Sequence, residues 1–190
     1  AYNNLIVVTS VGYPGPLWLN STSAEIVNNT ITENVAGSGI YVDGTGGPIT
    51  LRGNIIRSGP SYYSVLSAGP TLLASYCDSL GLPGYNGIYQ ASLGFVPCVG
   101  CISTDPQFAA DGSLQAGSPC IGSGPPEAIY NNRGTTNRND MGHTGGPYWN
   151  PANYTNDNPM VFMLTGKPLT VFKGPGGRTN ILVNTAASAG

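Results

Sequence analysis

The sequence predicts an all-β solenoid, in which short strands stack coil upon coil. Three observations predict it. Asparagines recur at Asn4, Asn29 and Asn54, 25 residues apart each time, and each precedes a triplet with an apolar centre: Leu5-Ile6-Val7, Thr30-Ile31-Thr32 and Ile55-Ile56-Arg57. Two further apolar stretches fall inside each period, Leu17-Trp18-Leu19 and 24–27 in the first, Ile40-Tyr41-Val42 and 49–51 in the second. Finally, 28 Gly and 16 Pro make turns frequent, and a charged fraction of only 8% leaves little material for solvated helix faces.

Each element follows from these features. A residue at a tight corner often needs a left-handed backbone, which Asn tolerates, and its amide can bond to its equivalent one coil away. Asn4, Asn29 and Asn54 are therefore expected to form a ladder at one corner. Alternation within each strand sends Ile6, Ile31 and Ile56 inward as one interior file. After Arg57 the period loosens, but 64–67 and 71–76 are again short apolar stretches between Gly/Pro loops, enough for one or two more coils and about five in all. Residues 125–159 are polar and turn-rich, a strap more than a core. Three β-prone stretches then follow, carrying Val161, Phe162 and Leu164, then Leu169, Val171 and Phe172, then Ile181, Leu182 and Val183. A tail this apolar needs a partner surface, either the solenoid of its own chain or the end of a neighbouring copy.

The stretches "NNTITENVAGSGIYV" and "ITLRGNIIRSG" resemble coils of right-handed parallel β-helix proteins of the pectin-lyase-like superfamily. Downstream, Asp105-Pro106-Gln107-Phe108, Leu114 and Ser118-Pro119-Cys120-Ile121, with "RNDMGHTGGPYW" at 138–149, are similar to the ending of exported bacterial members of the choice-of-anchor type. Gly122 stands where that ending usually has aspartate. The resemblance spans roughly residues 1–149 and implies the C-terminal coils of a right-handed parallel β-helix, with 150–190 as a β-rich extension.

Net charge is −2 and the seven Lys/Arg are scattered, so nothing forms an electrostatic footprint for nucleic acid. No apolar run reaches the roughly 18 residues of a membrane span. The first residues lack a basic start and a cleavage site, so the chain reads as mature after processing or as a fragment. Cys77, Cys98, Cys101 and Cys120 in a Lys-poor, Asn/Ser/Thr-rich chain suit an extracellular or cell-surface protein with disulfides, and three pairings are open. Sequons at Asn20, Asn28 and Asn153 are candidate glycosylation sites.

Catalysis on a solenoid needs clustered acids, and here Glu25, Glu33 and Asp43 fall at different places in the period. Asp78, Asp105, Asp111 and Asp140 belong mostly to turns or to the closing segment. His143, the single histidine, has Asp140 close in sequence but no evident nucleophile. No catalytic residue and no cofactor is assigned; calcium on Asp/Asn oxygens is one candidate metal, and Cys98-x2-Cys101 is half a zinc-site spacing without the paired second knuckle. Tyr62, Tyr63, Tyr76, Tyr85 and Tyr89 suit either a flank covering or a sugar-stacking platform. The leading expectation is a structural subunit whose partners are copies of itself, stacked head to tail with strand exchange by the tail. The rivals are a polysaccharide-processing enzyme, or a fragment of one, and a carbohydrate-binding adhesin module.

Overall fold

The computed structural model describes residues 5–10, 17–20, 23–33, 38–43, 47–59, 62–80, 87–147, 149, 161–165, 169–170, 172–173 and 179–180. Among them there is no α-helix, and a single 3-10 turn lies at Ala128–Tyr130. The chain runs through repeated groups of three short strands. These are β1 (Leu5–Ser10), β2 (Leu17–Leu19) and β3 (Ala24–Val27), then β4 (Thr30–Glu33), β5 (Ile40–Val42) and β6 (Ile49–Arg52). β7 (Ile55–Arg57), β8 (Val65–Ser67) and β9 (Leu72–Ser75) follow, then β10 (Asp78–Leu80), β11 (Ile88–Gln90), β12 (Gly94–Phe95) and β13 (Cys98–Val99).

Corresponding strands pair in parallel and build three sheets, β1-β4-β7-β10, β2-β5-β8-β11 and β3-β6-β9-β13. The arrangement is solenoid-like. Leu5 aligns with Thr30, Thr30 with Ile55 and Ile55 with Asp78, so the shift is 25, 25 and then 23 residues. Only β12 departs from the pattern, pairing antiparallel with β11.

In-register stacking explains the core. The expected file is present: Ile6 aligns with Ile31 and Ile31 with Ile56, and all three are buried. The second sheet contributes Leu17, Ile40, Val65 and Ile88, and the third Ile26, Leu51 and Ala74. Fully burying one such aliphatic side chain stabilises by about 1.5–3 kcal/mol, so the period is kept by the apolar positions themselves. A one-residue slip would turn a whole file outward.

The extension behaves as sheet material. β14 (Val161–Thr165) pairs in parallel with β1, and β15 (Leu169–Thr170) with β2, so the C-terminal strands lie outside the first coil of their own chain. β16 (Phe172–Lys173) and β17 (Thr179–Asn180) form a small antiparallel pair. Val171, Ile181, Leu182 and Val183 of the predicted tail lie outside the described residues, as do Asn4, Tyr85 and Asn153.

Candidate functional site

The densest concentration of buried polar groups lies along one corner, between the third sheet and the first. Two adjacent files build it. The residues with left-handed backbone are Asn28, Gly53, Tyr76 and Gly100, with φ of 52, 64, 52 and 67°. This corrects the expectation by one position: the ladder residues come immediately after the left-handed ones. Only glycine and, at a cost, asparagine take this conformation readily, so Tyr76 is the strained member.

The ladder file is Asn29, Asn54, Cys77 and Cys101. Asn54 Oδ1 accepts from the Asn29 backbone N–H at 2.9 Å and from Asn29 Nδ2 at 3.1 Å. Asn54 Nδ2 donates to Ile26 O at 2.7 Å and lies 3.9 Å from Cys77 Sγ. The Cys77 N–H in turn points at Cys101 Sγ, 3.1 Å away. Cysteine sulfurs thus continue a file that amides begin, which is why the repeat fades from view after Asn54.

A strap covers this corner and, beyond the polar covering expected for 125–159, carries a small core of its own. After Ile102, which bridges to Asp78, the chain climbs back along the coils in reverse order. Cys120 lies against Asp78, Gly142 N–H donates to Gly53 O at 2.7 Å, and His143 N–H donates to Thr30 Oγ1 at 3.0 Å. Ile55, Cys120 and Met141 form a second small core, with Tyr76, Ile102, Phe108 and Leu114 against it. Gly142, at φ 88°, has no room for a side chain: a Cβ there would sit 2.7 Å from Ile55 Cδ1 and from Thr30 Oγ1.

Asn28 is the rivet between coil and strap. Its Nδ2 donates to Asn139 Oδ1 and to Asp140 O, both at 2.9 Å, while Asn139 Nδ2 donates back to Asn28 Oδ1 at 3.2 Å. A buried amide held in this way has no room for a glycan, so Asn28 drops out as an acceptor; Asn20 is exposed.

The titratable groups fit a structural corner. Asp140 accepts from Gly122 N–H at 2.7 Å and Asn132 Nδ2 at 2.8 Å, and so ties strap segments together instead of serving His143. His143 Nδ1 lies 3.0 Å from Thr30 Oγ1, and burial pushes its pKa down to about 4, with the Asp111 charge opposing. Asp78 accepts from Thr104 N–H and from the Cys120 thiol, both at 3.1 Å; burial raises its pKa above the usual carboxylate value. Burial, and then that carboxylate, push the Cys120 thiol far up, so it is a neutral donor.

Arg52 bonds the Tyr130 hydroxyl and Arg57 lies 3.5 Å from Asp105, so the two guanidinium groups serve separate contacts. Among the described residues no three His, Cys, Asp or Glu side chains come together as a metal site. Of the four cysteines, Cys98 and Cys101 form a disulfide, and Cys77 and Cys120 are buried thiols. The tyrosines divide: Tyr63 stacks on Tyr89 with centroids 4.4 Å apart and Phe95 edge-on to both, whereas Tyr76 lies at the strapped corner under Arg138.

The assembly candidates are the strands of the tail. β14 and β15 extend the first and second sheets beyond the first coil, whereas in the order of the third sheet β3 is terminal. The strap delivers the chain to this end, because each contact from Asp78 to Gly53 to Thr30 is one coil nearer to β1. No protein-family model, curated protein or solved structure matches this chain.

Proposed function

We propose that this chain is a structural subunit of an extracellular fibre or cell-surface assembly, built by head-to-tail stacking of right-handed parallel β-helices that exchange their C-terminal strands. The observation that carries the reading is the pairing of β14 with β1 and β15 with β2. Strands that complete the first coil of their own chain meet the same backbone groups and the same register on the first coil of another copy. Strand addition to an exposed sheet edge is a general mode of association, and exchange of an identical element needs no new interface chemistry. Passed on from copy to copy instead of swapped reciprocally, such a contact is heterologous, and where the rotation does not close it has the symmetry of a filament. The buried, hydrogen-bonded state of Asp78 and of His143 supports a scaffold over an enzyme.

The test is electron microscopy of the full chain beside the chain ended after Asn158. Regular fibres from the first and none from the second are expected. Monodisperse particles from both would overturn the reading and redirect work to polysaccharide substrates and glycan binding.

A further inference from the structure

The corner file ends in two cysteines, Cys77 and Cys101, and Cys98 lies three residues before the second. Cys98 aligns with Ala74 and Val99 with Ser75, and three residues further on Ile102 bridges to Asp78. Cys101 and Cys77 are therefore register partners on neighbouring coils, bracketed on both sides by paired residues. Adjacent parallel strands lie about 4.7–4.9 Å apart, within the Cα separation that a disulfide spans. The Cys77 N–H already points at Cys101 Sγ at 3.1 Å, as the Asn29 N–H points at Asn54 Oδ1 two rungs earlier.

We propose that Cys77, Cys98 and Cys101 form a thiol–disulfide exchange site, in which the bridge moves between the loop pair Cys98–Cys101 and an inter-coil pair Cys77–Cys101. In the step, Cys77 gives up its proton and its thiolate bonds to Cys101 Sγ. The bond from Cys101 to Cys98 breaks, its electron pair leaves on Cys98, and Cys98 takes up a proton. One disulfide is consumed and one is formed, so no oxidant or reductant enters.

The two states differ in what they hold. The first bridge closes a short turn beside Val99, which is 69% exposed; the second closes a full coil and locks the last rung to the one before it. Burial raises the Cys77 thiol to about 11, so the exchange is slow at neutral pH and accelerates in alkali. Cys120 packs outside the first sheet, in the strap cluster, while Cys77 belongs to the interior, so Cys120 is the internal control.

The test uses the full chain with Cys98→Ser, treated with oxidised glutathione at alkaline pH, quenched in acid, alkylated and mapped with chymotrypsin. Chymotrypsin cuts between Cys77 and Cys98 at Tyr89 and Phe95, and after Cys101 at Phe108. A Cys77–Cys101 crosslink with Cys120 alkylated is expected in a natively folded sample. Glutathione retained on Cys101 beside a free Cys77 would overturn the proposal. If the variant fails to fold, the unmodified chain decides after alkaline incubation without added thiol or oxidant. Alkyl label appearing on Cys98 supports exchange, and label confined to Cys77 and Cys120 refutes it.

Discussion

Replacing Asn54 with alanine would cut the corner file at its centre. Asn54 is fully buried, and its amide makes three short hydrogen bonds: from Asn29 N–H at 2.9 Å, from Asn29 Nδ2 at 3.1 Å and to Ile26 O at 2.7 Å. Asn29 Nδ2 keeps Val27 O as an acceptor at 3.0 Å and the Ile26 carbonyl keeps its place in the β3–β6 ladder, so the damage falls on one main-chain group, the Asn29 N–H. A buried group that loses its partner costs roughly 1–3 kcal/mol. The expected loss is thus about 1–3 kcal/mol, a sizeable part of the roughly 5–15 kcal/mol by which a domain is stable. Urea unfolding followed by far-UV circular dichroism reads it as a lower midpoint at unchanged slope. Asn20→Ala, at an exposed position, is the control and should stay within about 0.5 kcal/mol. An Asn54→Ala midpoint within about 1 kcal/mol of the parent would refute the claim that stacked amides hold this corner.

Three further outcomes are expected. Gly142→Ala forces a Cβ to within 2.7 Å of Ile55 and Thr30 and should lift the strap, seen as faster proteolysis between 110 and 140 while the coils keep their circular dichroism. At Asn28, φ 52°, glycine removes only the side-chain bonds to the strap, whereas alanine adds a left-handed penalty of about 1–2 kcal/mol; Asn28→Ala should therefore unfold at lower urea than Asn28→Gly. His143 titrates near 4 in the fold against an ordinary 6.5, so the unfolded chain takes up the proton first. The stability it supports is complete above about 6.5 and is lost as pH falls toward 4, on the order of 3 kcal/mol. Asp78, whose pKa is raised, works the other way: its contribution is greatest below the ordinary carboxylate value and is lost as pH rises through its folded pKa. His143→Gln should flatten the fall between 6.5 and 4 in urea midpoints measured across that range, and an unchanged slope would count against a buried neutral imidazole.

The regular part of the fold was legible because stacking forces equivalent positions to repeat. Ile6, Ile31 and Ile56 share one environment, and only aliphatic residues of similar volume suit it. The trace was lost beyond Asn54 because the rung shortens to 23 residues and a thiol takes the amide's place at Cys77. The strap was read as polar covering. Its small core depends on Ile55 and Met141, 86 residues apart, and no local pattern announces such a contact. The left-handed positions were misplaced by one because the paired asparagines at 28 and 29 look alike in sequence, although one turns the chain and the other bonds to the next coil. Asn28 could have been singled out by its Gly53 counterpart 25 residues later, since glycine at a repeated corner marks a positive φ.

The pairing of β14 with β1 also sets an order of events during synthesis. β1 leaves the ribosome about 150 residues before the strand that completes its sheet, roughly 8–30 s at ordinary elongation rates. Throughout that interval the second, third and fourth coils can form on one side of β1 while its other side waits. β1 is thus among the last strands to be finished, and a second nascent or released chain arriving within that delay competes with the chain's own tail for the same edge. Whether the product is a closed monomer or a linked pair then depends on how crowded the chains are when they are made, and not only on the strength of the contact.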